Sequence, residues 1–246
     1  MCVLTSIYTQ IKSIANKFGI DIVRYRPIKI EDLIEDPFNV LEFVIFYYLA
    51  SSAPFSFVQI GANDGVRWDP LHDLILKHHL VGLLVEPLPD MFEQLKKNYV
   101  SESQLSFENV AIATENGTQT LFRVKPNANV PDYAHGWASF DKNHLREFNQ
   151  FIQEVQVPTL TIRSLLQKHK INHITLLQVD TEGYDYEIIK MFFDELEFPE
   201  IINYEFRHLS RNDNLECRRL LIDNGYRFID YTAWDTLAIR GVSPAH

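Results

Sequence analysis

Cysteine is scarce in this sequence, because only Cys2 and Cys217 occur among its 246 residues. The two residues form no Cys-x-x-Cys pair and match no zinc-binding spacing, so a zinc module is not predicted. Isolated thiols are typical of proteins in a reduced compartment, and a cytoplasmic location is therefore expected.

Long apolar runs and a basic excess are also missing. The most apolar run, Leu41 to Ala50, is interrupted by Glu42 and is far shorter than the roughly 20 residues of a transmembrane helix. The N-terminus lacks the order of a secretory signal peptide. The formal net charge is -10, whereas nucleic-acid binders usually carry a basic face. We therefore expect neither a transmembrane segment nor a nucleic-acid partner.

What is present indicates a globular α/β protein. Apolar residues make up 46% of the chain and charged residues 23%. From residue 55 onward, predicted strands alternate with predicted helices, which is typical of a mainly parallel sheet. The last two predicted strands, residues 226–231 and 236–240, are joined by a turn too short for a parallel crossover. The sequence thus predicts a Rossmann-like α/β fold, with a mainly parallel seven-stranded sheet and an antiparallel C-terminal strand.

Two parts of the chain are expected. Residues 1–53 are predicted to be a helical extension, since apolar residues recur at helical spacing from Leu4 to Phe18. This helix packs on the domain, on a second subunit as part of a homodimer, or on a membrane surface, of which the last is the least favoured. Residues 54–246 are predicted to form the α/β domain.

One part of this domain is predicted to be less regular. Residues 106–113 are predicted as a single strand, with residues 118–124 as its hairpin partner. The segment 125–157 is dense in Asn, Pro and Asp at its start and shows only a short helical stretch at 142–153. Long irregular segments in compact domains are usually functional, so we interpret it as a loop that covers a substrate.

A glycine-containing bend follows the first predicted strand of the domain. Gly61 and Gly65 flank Ala62-Asn63-Asp64 directly after a short β run. Glycine lets the backbone turn tightly and come close to a ligand. The pattern is not Gly-x-Gly-x-x-Gly, so close approach of a pyrophosphate is not provided in the usual way. A cofactor without phosphates fits the bend better.

Acidic residues follow the later strands. Glu86 ends the second strand and is placed to accept hydrogen bonds from both hydroxyls of a ribose. Asp180, Glu182 and Asp185 cluster after another apolar strand, and Glu205 with His208 ends the next one. These groups can serve as a general base, as ligands to a hard cation, or, for Asp180 or Thr181, as a helix cap. Base catalysis is favoured over metal binding, and no metal site is predicted.

Four blocks of the sequence lie at or beside the ends of predicted strands: Val58 to Gly65, Val85 to Pro87, Asn109 to Ile112 and Gln178 to Tyr184. In order and spacing, these blocks resemble the FkbM-type methyltransferases. The resemblance covers roughly residues 55–208 and implies a class I methyltransferase fold with S-adenosylmethionine as the cofactor. It also implies O-methylation of a hydroxyl on a sugar, a glycan or a glycosylated natural product.

The resemblance implies a cofactor site along the strand ends. The bend would line the methionine and ribose parts of the cofactor, and Glu86 would hold the ribose hydroxyls. Asn109 and Ala111 would lie near the adenine, and Asp180 would lie beside the transferred methyl group. The full set expected to bind the cofactor is Gly61, Asn63, Asp64, Gly65, Glu86, Pro87, Asn109, Ala111 and Asp180.

The catalytic base and the acceptor site are assigned next. Asp180 is the first candidate for the base, and Glu205 or His208 is the second, since histidine titrates nearest to neutral pH. Residues 132–144 are expected to cover a small-molecule or glycan acceptor, where Tyr133 and Trp137 either stack on a sugar or pack the loop. The expected acceptor residues are His135, Trp137, Ser139 and Glu182.

Two other functions remain open. A nicotinamide-dependent oxidoreductase shares the first strand–helix–strand unit and the acidic Glu86, but the third glycine is missing and the antiparallel ending leaves little room for a second mononucleotide half. A non-catalytic S-adenosylmethionine-binding module would keep the same fold, because fold alone does not establish function.

Overall fold

The computed structural model describes residues 38–51, 54–195 and 197–241. All of these except residues 38 and 39 belong to one compact unit, residues 40–246. The amphipathic helix predicted from residue 4 to residue 18, and with it the expected homodimer contact, lies outside the described residues. In the part of the chain that is described, no helix is both long enough and apolar enough to cross a bilayer.

Eleven strands and six α-helices make up the described part of the chain. The strands are β1 (Phe57–Ile60), β2 (Gly82–Val85), β3 (Leu105–Glu108), β4 (Ala111–Ile112), β5 (Gly117–Val124), β6 (Ala138–Ser139), β7 (Ile152–Leu160), β8 (Leu176–Val179), β9 (Ile201–Glu205), β10 (Tyr226–Asp230) and β11 (Asp235–Arg240). The helices are α1 (Val40–Leu49), α2 (His72–His78), α3 (Pro89–Asn98), α4 (Ile162–His169), α5 (Asp185–Asp194) and α6 (Arg211–Asp223). Two 3-10 helices, Asp132–Gly136 and Lys142–Phe151, lie between β5 and β7.

The main sheet has seven strands in the order β3-β2-β1-β8-β9-β11-β10. Neighbouring strands from β3 to β9 run parallel, whereas β11 is antiparallel to both β9 and β10. The predicted fold class, a mainly parallel seven-stranded sheet with an antiparallel C-terminal strand, is therefore confirmed. The strand order reverses beside β1, where ligands of open α/β sheets usually bind.

Alternate side chains of the central strands build two separate cores. Val58 of β1 and Leu177 of β8 belong to one apolar cluster, which includes side chains of α4, α5 and α6. Phe57 and Leu176 precede them and belong to the other cluster, which includes side chains of α1, α2 and α3. Because successive side chains of a strand point to opposite faces, short strands that are buried along their whole length, such as these, require helices on both sides.

A second sheet of four strands, in the order β4-β7-β5-β6, corrects three predictions. The strand predicted over 106–113 is divided into β3 in the main sheet and β4 in the second sheet. Between them, the Asn109 side chain donates hydrogen bonds to the carbonyl oxygens of Glu86 and Pro87 at 2.7 and 3.1 Å. These bonds hold the chain where it leaves the main sheet.

The predicted hairpin is wrong as well, because β5 pairs along its whole length with β7 and not with residues 106–113. The helix predicted at 142–153 is a 3-10 helix that ends at Phe151, and β7 begins at Ile152. The segment 125–157, predicted to be irregular, therefore contains two 3-10 helices, β6 and the first part of β7. Val157 is fully buried between exposed Gln156 and Pro158, the alternation that marks a strand with one buried face.

Candidate functional site

Three strand ends meet at one edge of the main sheet. Ile60 of β1 is in register with Val85 of β2 and with Val179 of β8. The residues that follow are Gly61, Glu86 and Asp180, so they lie side by side. A cavity of about 1200 Å³ opens at this edge and is lined by all three residues.

The bend after β1 passes very close to the end of β8. Gly61 has a positive φ of 85°, and a Cβ atom built on it would lie 1.8 Å from the carbonyl oxygen of Asp180. No side chain fits there, because such a contact is far inside the van der Waals limit and the backbone conformation already favours glycine. Glycine at this position lets two backbone segments share one edge of the cavity.

Glu86 is tied to the bend by hydrogen bonds. The backbone N–H of Asn63 donates to Oε2 of Glu86 at 2.9 Å, and that of Leu88 donates to Oε1 at 2.8 Å. The side chain of Glu86 is buried, and burial raises its pKa to about 7 despite these two bonds. Each carboxylate oxygen accepts a second hydrogen bond without rearrangement, and the residue lines the cavity.

Asp64 and Gly65 hold the bend in shape and do not line the cavity. Asp64 accepts hydrogen bonds from the backbone N–H groups of Val66 and Arg67 and from Nε of Arg67. Burial pushes its pKa upward, but these bonds and the Arg67 charge hold it below its usual value. A Cβ atom on Gly65 would lie 2.5 Å from side-chain atoms of helix α3, so this glycine allows close packing.

Not all of the residues expected near the adenine line the cavity. Pro87 and Ala111 line the cavity, whereas Asn109 does not. The side-chain amide of Asn109 faces the backbone of residues 86 and 87, as described above. Its observed contact is thus with the backbone that follows β2, and it orients the strand end that carries Glu86.

Carboxylates dominate the other end of the cavity. Asp180, Glu182 and Glu205 all line it. Burial and the neighbouring carboxylates raise the pKa of Asp180 and of Glu182 well above the usual range. Burial, with repulsion from Asp185 and Asp235, raises the pKa of Glu205 to about 8. Within the described ranges, no hydrogen-bond donor contacts the Asp180 or Glu205 side chain, and His208 is the basic side chain within 4 Å of Glu205.

His208 joins this group from the turn after β9. Its Nε2 atom lies 3.5 Å from Oε2 of Glu182 and 3.7 Å from Oε2 of Glu205. Burial and the nearby charge of Arg207 lower the pKa of His208, so the neutral imidazole is favoured. One ligand atom from each of Glu182, Glu205 and His208 lies within 4.8 Å of the other two.

Asp185 stabilises the turn that presents this group. Its Oδ2 accepts hydrogen bonds from the hydroxyl of Thr181 at 3.1 Å and from the backbone N–H groups of Thr181 and Gly183 at 3.3 Å. The residue at the N-cap of α5 is Tyr184, so neither Asp180 nor Thr181 caps that helix. The helix-cap alternative for these two residues is thereby removed.

The two 3-10 helices between β5 and β7, together with Trp137, contact both ends of the cavity. A Cβ atom on Gly136 would lie 2.3 Å from Nδ2 of Asn63, and Nδ1 of His144 lies 3.0 Å from the carbonyl oxygen of Glu182. The ring of Trp137 meets that of His208 edge-on, with 5.1 Å between the centroids. Of the predicted acceptor residues, Trp137, Ser139 and Glu182 line the cavity, and His135 does not.

Several lining residues were not predicted. They come from loops whose role depends on the tertiary structure. The guanidinium of Arg207 lies 4.4 Å from the ring centroid of Trp234, which sits in the turn between β10 and β11. The only signal in the sequence was that this turn and Arg207 follow strands ending at the same edge. The unpredicted aromatic and basic lining residues are Arg67, Trp68, Arg146, Tyr184, Arg207 and Trp234.

Comparison with known proteins identifies the family. Residues 59–228 match the model of the methyltransferase FkbM domain. This chain belongs to the FkbM methyltransferase family. No protein of curated function gives a match. The match makes residues 59–228 a domain of the methyltransferase type, and it gives no support to the nicotinamide-dependent oxidoreductase.

Three solved structures to which the chain is similar are distant from it in sequence. The methyltransferase FkbM from Methylobacillus flagellatus KT is 16% identical with a TM-score of 0.49, over 78% of this chain and 46% of that one. The N-terminal domain of human METTL16 is 12% identical with a TM-score of 0.46, over 92% and 77%. Precorrin-6y C5,15-methyltransferase from Geobacter metallireducens GS-15 is 10% identical with a TM-score of 0.43, over 82% and 87%. This chain thus spans about half the length of the Methylobacillus protein.

Proposed function

We propose that this FkbM-family chain transfers a methyl group from S-adenosylmethionine to a hydroxyl of a sugar, a glycan or a glycosylated natural product. The observation that supports it most is the position of Glu86. Its buried carboxylate is hydrogen-bonded to the Gly61–Asn63 bend and borders the cavity. A carboxylate at the end of the second strand is suited to the two hydroxyls of a ribose.

The bend fits a nucleoside cofactor that carries no phosphates. Pyrophosphate sites in Rossmann folds use the N–H groups of a helix that begins directly at the glycine turn. Here helix α2 begins at His72, after an irregular stretch that follows Gly65. The buried Oδ1 of Asn63 has no hydrogen-bond partner among the described residues, which leaves an acceptor at the cavity wall. These features favour a cofactor held by hydroxyl and amino groups.

The acidic residues that line the cavity also favour S-adenosylmethionine as the cofactor. S-adenosylmethionine supplies a methyl group on a positively charged sulfur, and the product that remains is a neutral thioether. Asp180, Glu182 and Glu205 border one end of the cavity, and a sulfonium bound beside them favours their ionised forms, because opposite charges attract strongly where water is partly excluded. Transfer removes that positive charge, so the same carboxylates hold the product less strongly.

The chain's own residues are assigned as follows. Asp180 is the proposed general base: it takes the proton of the acceptor hydroxyl as the oxygen–methyl bond forms and the carbon–sulfur bond breaks. Burial and the neighbouring carboxylates raise its pKa, which makes it a stronger base than a solvent-exposed aspartate. The close approach of Gly61 and Asp180 supports this role, because Asp180 then lies beside the proposed cofactor, and holding the reactants in line supplies much of the acceleration.

A sugar-bearing acceptor is favoured by the aromatic side chains at the cavity. Trp137 lines it beside His208, and Tyr133 is 49% exposed there. Exposed aromatic faces suit the apolar faces of sugar rings. Drug-sized ligands fill about 300–1,000 Å³, so a cavity of about 1200 Å³ has room for the cofactor and an acceptor together. With a net charge of -10, we propose that nucleic acid is not the acceptor.

The proposal is tested with the purified full-length chain. S-adenosylhomocysteine and NAD are each titrated calorimetrically, and methyl-labelled S-adenosylmethionine is then supplied with a panel of sugars, glycolipids and glycosylated natural products. We expect binding of the first nucleoside only, and transfer of label to one acceptor class. Binding without transfer to any acceptor would support the non-catalytic module, and binding of NAD alone would refute the proposal.

A further inference from the structure

We infer that Glu182, Glu205 and His208 bind a divalent cation at the acceptor end of the cavity. Glu182 comes from the turn after β8, Glu205 is the last residue of β9, and His208 lies in the turn that follows β9. Their ligand atoms lie within 4.8 Å of one another. The group offers two carboxylates and one imidazole, which is a set of ligands typical of metal centres and not only an acidic patch.

The distances suit an ion placed between the three side chains. Nε2 of His208 lies 3.5 Å from Glu182 and 3.7 Å from Glu205. An ion about 2.0–2.2 Å from each ligand atom separates neighbouring ligand atoms by about 3.0–3.5 Å. Small rotations of the side chains therefore bring all three into contact with one ion.

The burial of Glu205 without a hydrogen-bond donor is a second and independent indication of a cation site. Its side chain is about nine-tenths buried, borders the cavity, and receives no hydrogen bond from any described residue. The guanidinium of Arg207 stacks on Trp234, and its charge offsets the burial of Glu205 only in part. A buried carboxylate that accepts no hydrogen bond is costly, and a divalent cation reduces that cost.

The ligand set indicates which cation binds. Imidazole suits Zn²⁺ and other borderline metals, whereas carboxylates suit Mg²⁺ and Mn²⁺, so a mixed set favours Mn²⁺ or Zn²⁺ over Mg²⁺. Three protein ligands leave positions open for water or a substrate oxygen. At this place a cation would draw electron density from the acceptor hydroxyl and orient it, a role that rests on the proposed function. Binding of the cation itself does not depend on that function.

The first test measures binding. The full-length chain, stripped with a chelator, is titrated with Mn²⁺ while the electron paramagnetic resonance signal of free Mn²⁺ is followed, and Zn²⁺ is then added as a competitor. We expect one saturable Mn²⁺ per chain, displaced by Zn²⁺. His208→Ala and Glu205→Gln should each weaken binding at least about tenfold. Glu200→Gln is the matched control, because Glu200 also lies beside a histidine, 3.2 Å from Nε2 of His173, but precedes β9. That variant should bind like the wild type.

A second readout separates loss of a ligand from loss of the fold. Excess Mn²⁺ should raise the midpoint of thermal unfolding of the wild type and of Glu200→Gln, but not that of Glu205→Gln. Absence of saturable binding of both ions, or unchanged binding by Glu205→Gln and His208→Ala, would overturn the inference. Saturable binding by a chain that methylates nothing would uphold the cation site and refute the proposed function. Methylation at full rate in the stripped chain would overturn the catalytic role of the cation.

Discussion

The backbone N–H of Asn63 donates a hydrogen bond to the carboxylate of Glu86, with 2.9 Å between the nitrogen and Oε2. This bond joins the bend after β1 to the end of β2, although the two residues are far apart in the sequence. Asn63 itself has a positive φ of 49°, which few residues other than glycine and asparagine adopt readily. The geometry of the bend and the protonation state of Glu86 are therefore coupled.

Affinity for the cofactor should depend on pH through Glu86. Burial raises the pKa of Glu86 to about 7, and hydroxyl donors of a bound ribose stabilise the charged carboxylate. Binding thus lowers this pKa, and affinity is full above pH 7 and falls as the pH drops below it. We expect the Kd of S-adenosylhomocysteine, measured by calorimetry, to be about tenfold higher at pH 6 than at pH 8.

Glu86→Gln is the control for this effect. The amide does not titrate and presents one acceptor oxygen instead of two. Binding of S-adenosylhomocysteine should therefore be weaker at every pH, and its Kd should no longer change between pH 6 and pH 8. A slope that persists in the variant would assign the pH dependence to another group.

Arg123 should hold Glu86 in its charged form. The Arg123 side chain is buried, pairs with Asp90, and has two nitrogens without partners among the described residues. Its charge lowers the pKa of Glu86. Arg123→Leu removes that charge, so Kd for S-adenosylhomocysteine at pH 7 should rise by up to about tenfold and recover toward the wild-type value at pH 9.

Arg163→Leu is the matched comparison, since Arg163 pairs with Glu195 on an exposed surface and lies outside the cavity lining. It should leave the Kd unchanged at both pH values. An equal loss of affinity at pH 7 and pH 9 in Arg123→Leu would mean that the arginine acts by packing and not by charge.

The strand ends were predictable because their signals are local. A short apolar run followed by Gly61, by Glu86 or by Asp180 marks the end of a buried strand, and parallel strands place such ends at one edge. The second sheet was not predictable in the same way, since β7 pairs with residues 117–124 across a long insertion. Its alternation is also weak, because Ile152 and Val155 are only half-buried. The Arg207–Trp234 contact was missed for the same reason: it depends on the antiparallel pairing of β9 with β11.

Substitution of Gly61 should be more damaging than that of another glycine with the same backbone conformation. Gly61→Ala combines a positive φ of 85° with a Cβ atom 1.8 Å from the Asp180 carbonyl oxygen. The free energy of unfolding should fall by at least about 3 kcal/mol, from backbone strain and overpacking together. Urea titration followed by circular dichroism measures this loss.

Gly225 provides the matched comparison. It has a φ of 83°, follows the end of α6, and has no atom within 4 Å of a built Cβ. Gly225→Ala should therefore cost only about 1–2 kcal/mol, the price of the left-handed conformation. Equal losses in the two variants would show that the β1 bend and the end of β8 separate easily, which would weaken the proposed cofactor edge.

Asp180→Asn should separate catalysis from binding. Asparagine keeps the shape of the side chain but accepts no proton, so turnover should fall at least about 100-fold if Asp180 is the general base. The Kd of S-adenosylhomocysteine should change by less than about threefold, because the neutral thioether of the product does not need the carboxylate's charge.

Burial and the neighbouring carboxylates raise the pKa of Asp180, so the aspartate is costly to ionise in the folded chain. The variant should accordingly unfold at no lower temperature than the wild type. Single-turnover kinetics with the acceptor found in the panel, together with calorimetry and thermal unfolding of the same sample, measure all three quantities. Wild-type turnover in Asp180→Asn would remove Asp180 as the base, whereas a parallel loss of turnover and product affinity would give it a binding role instead.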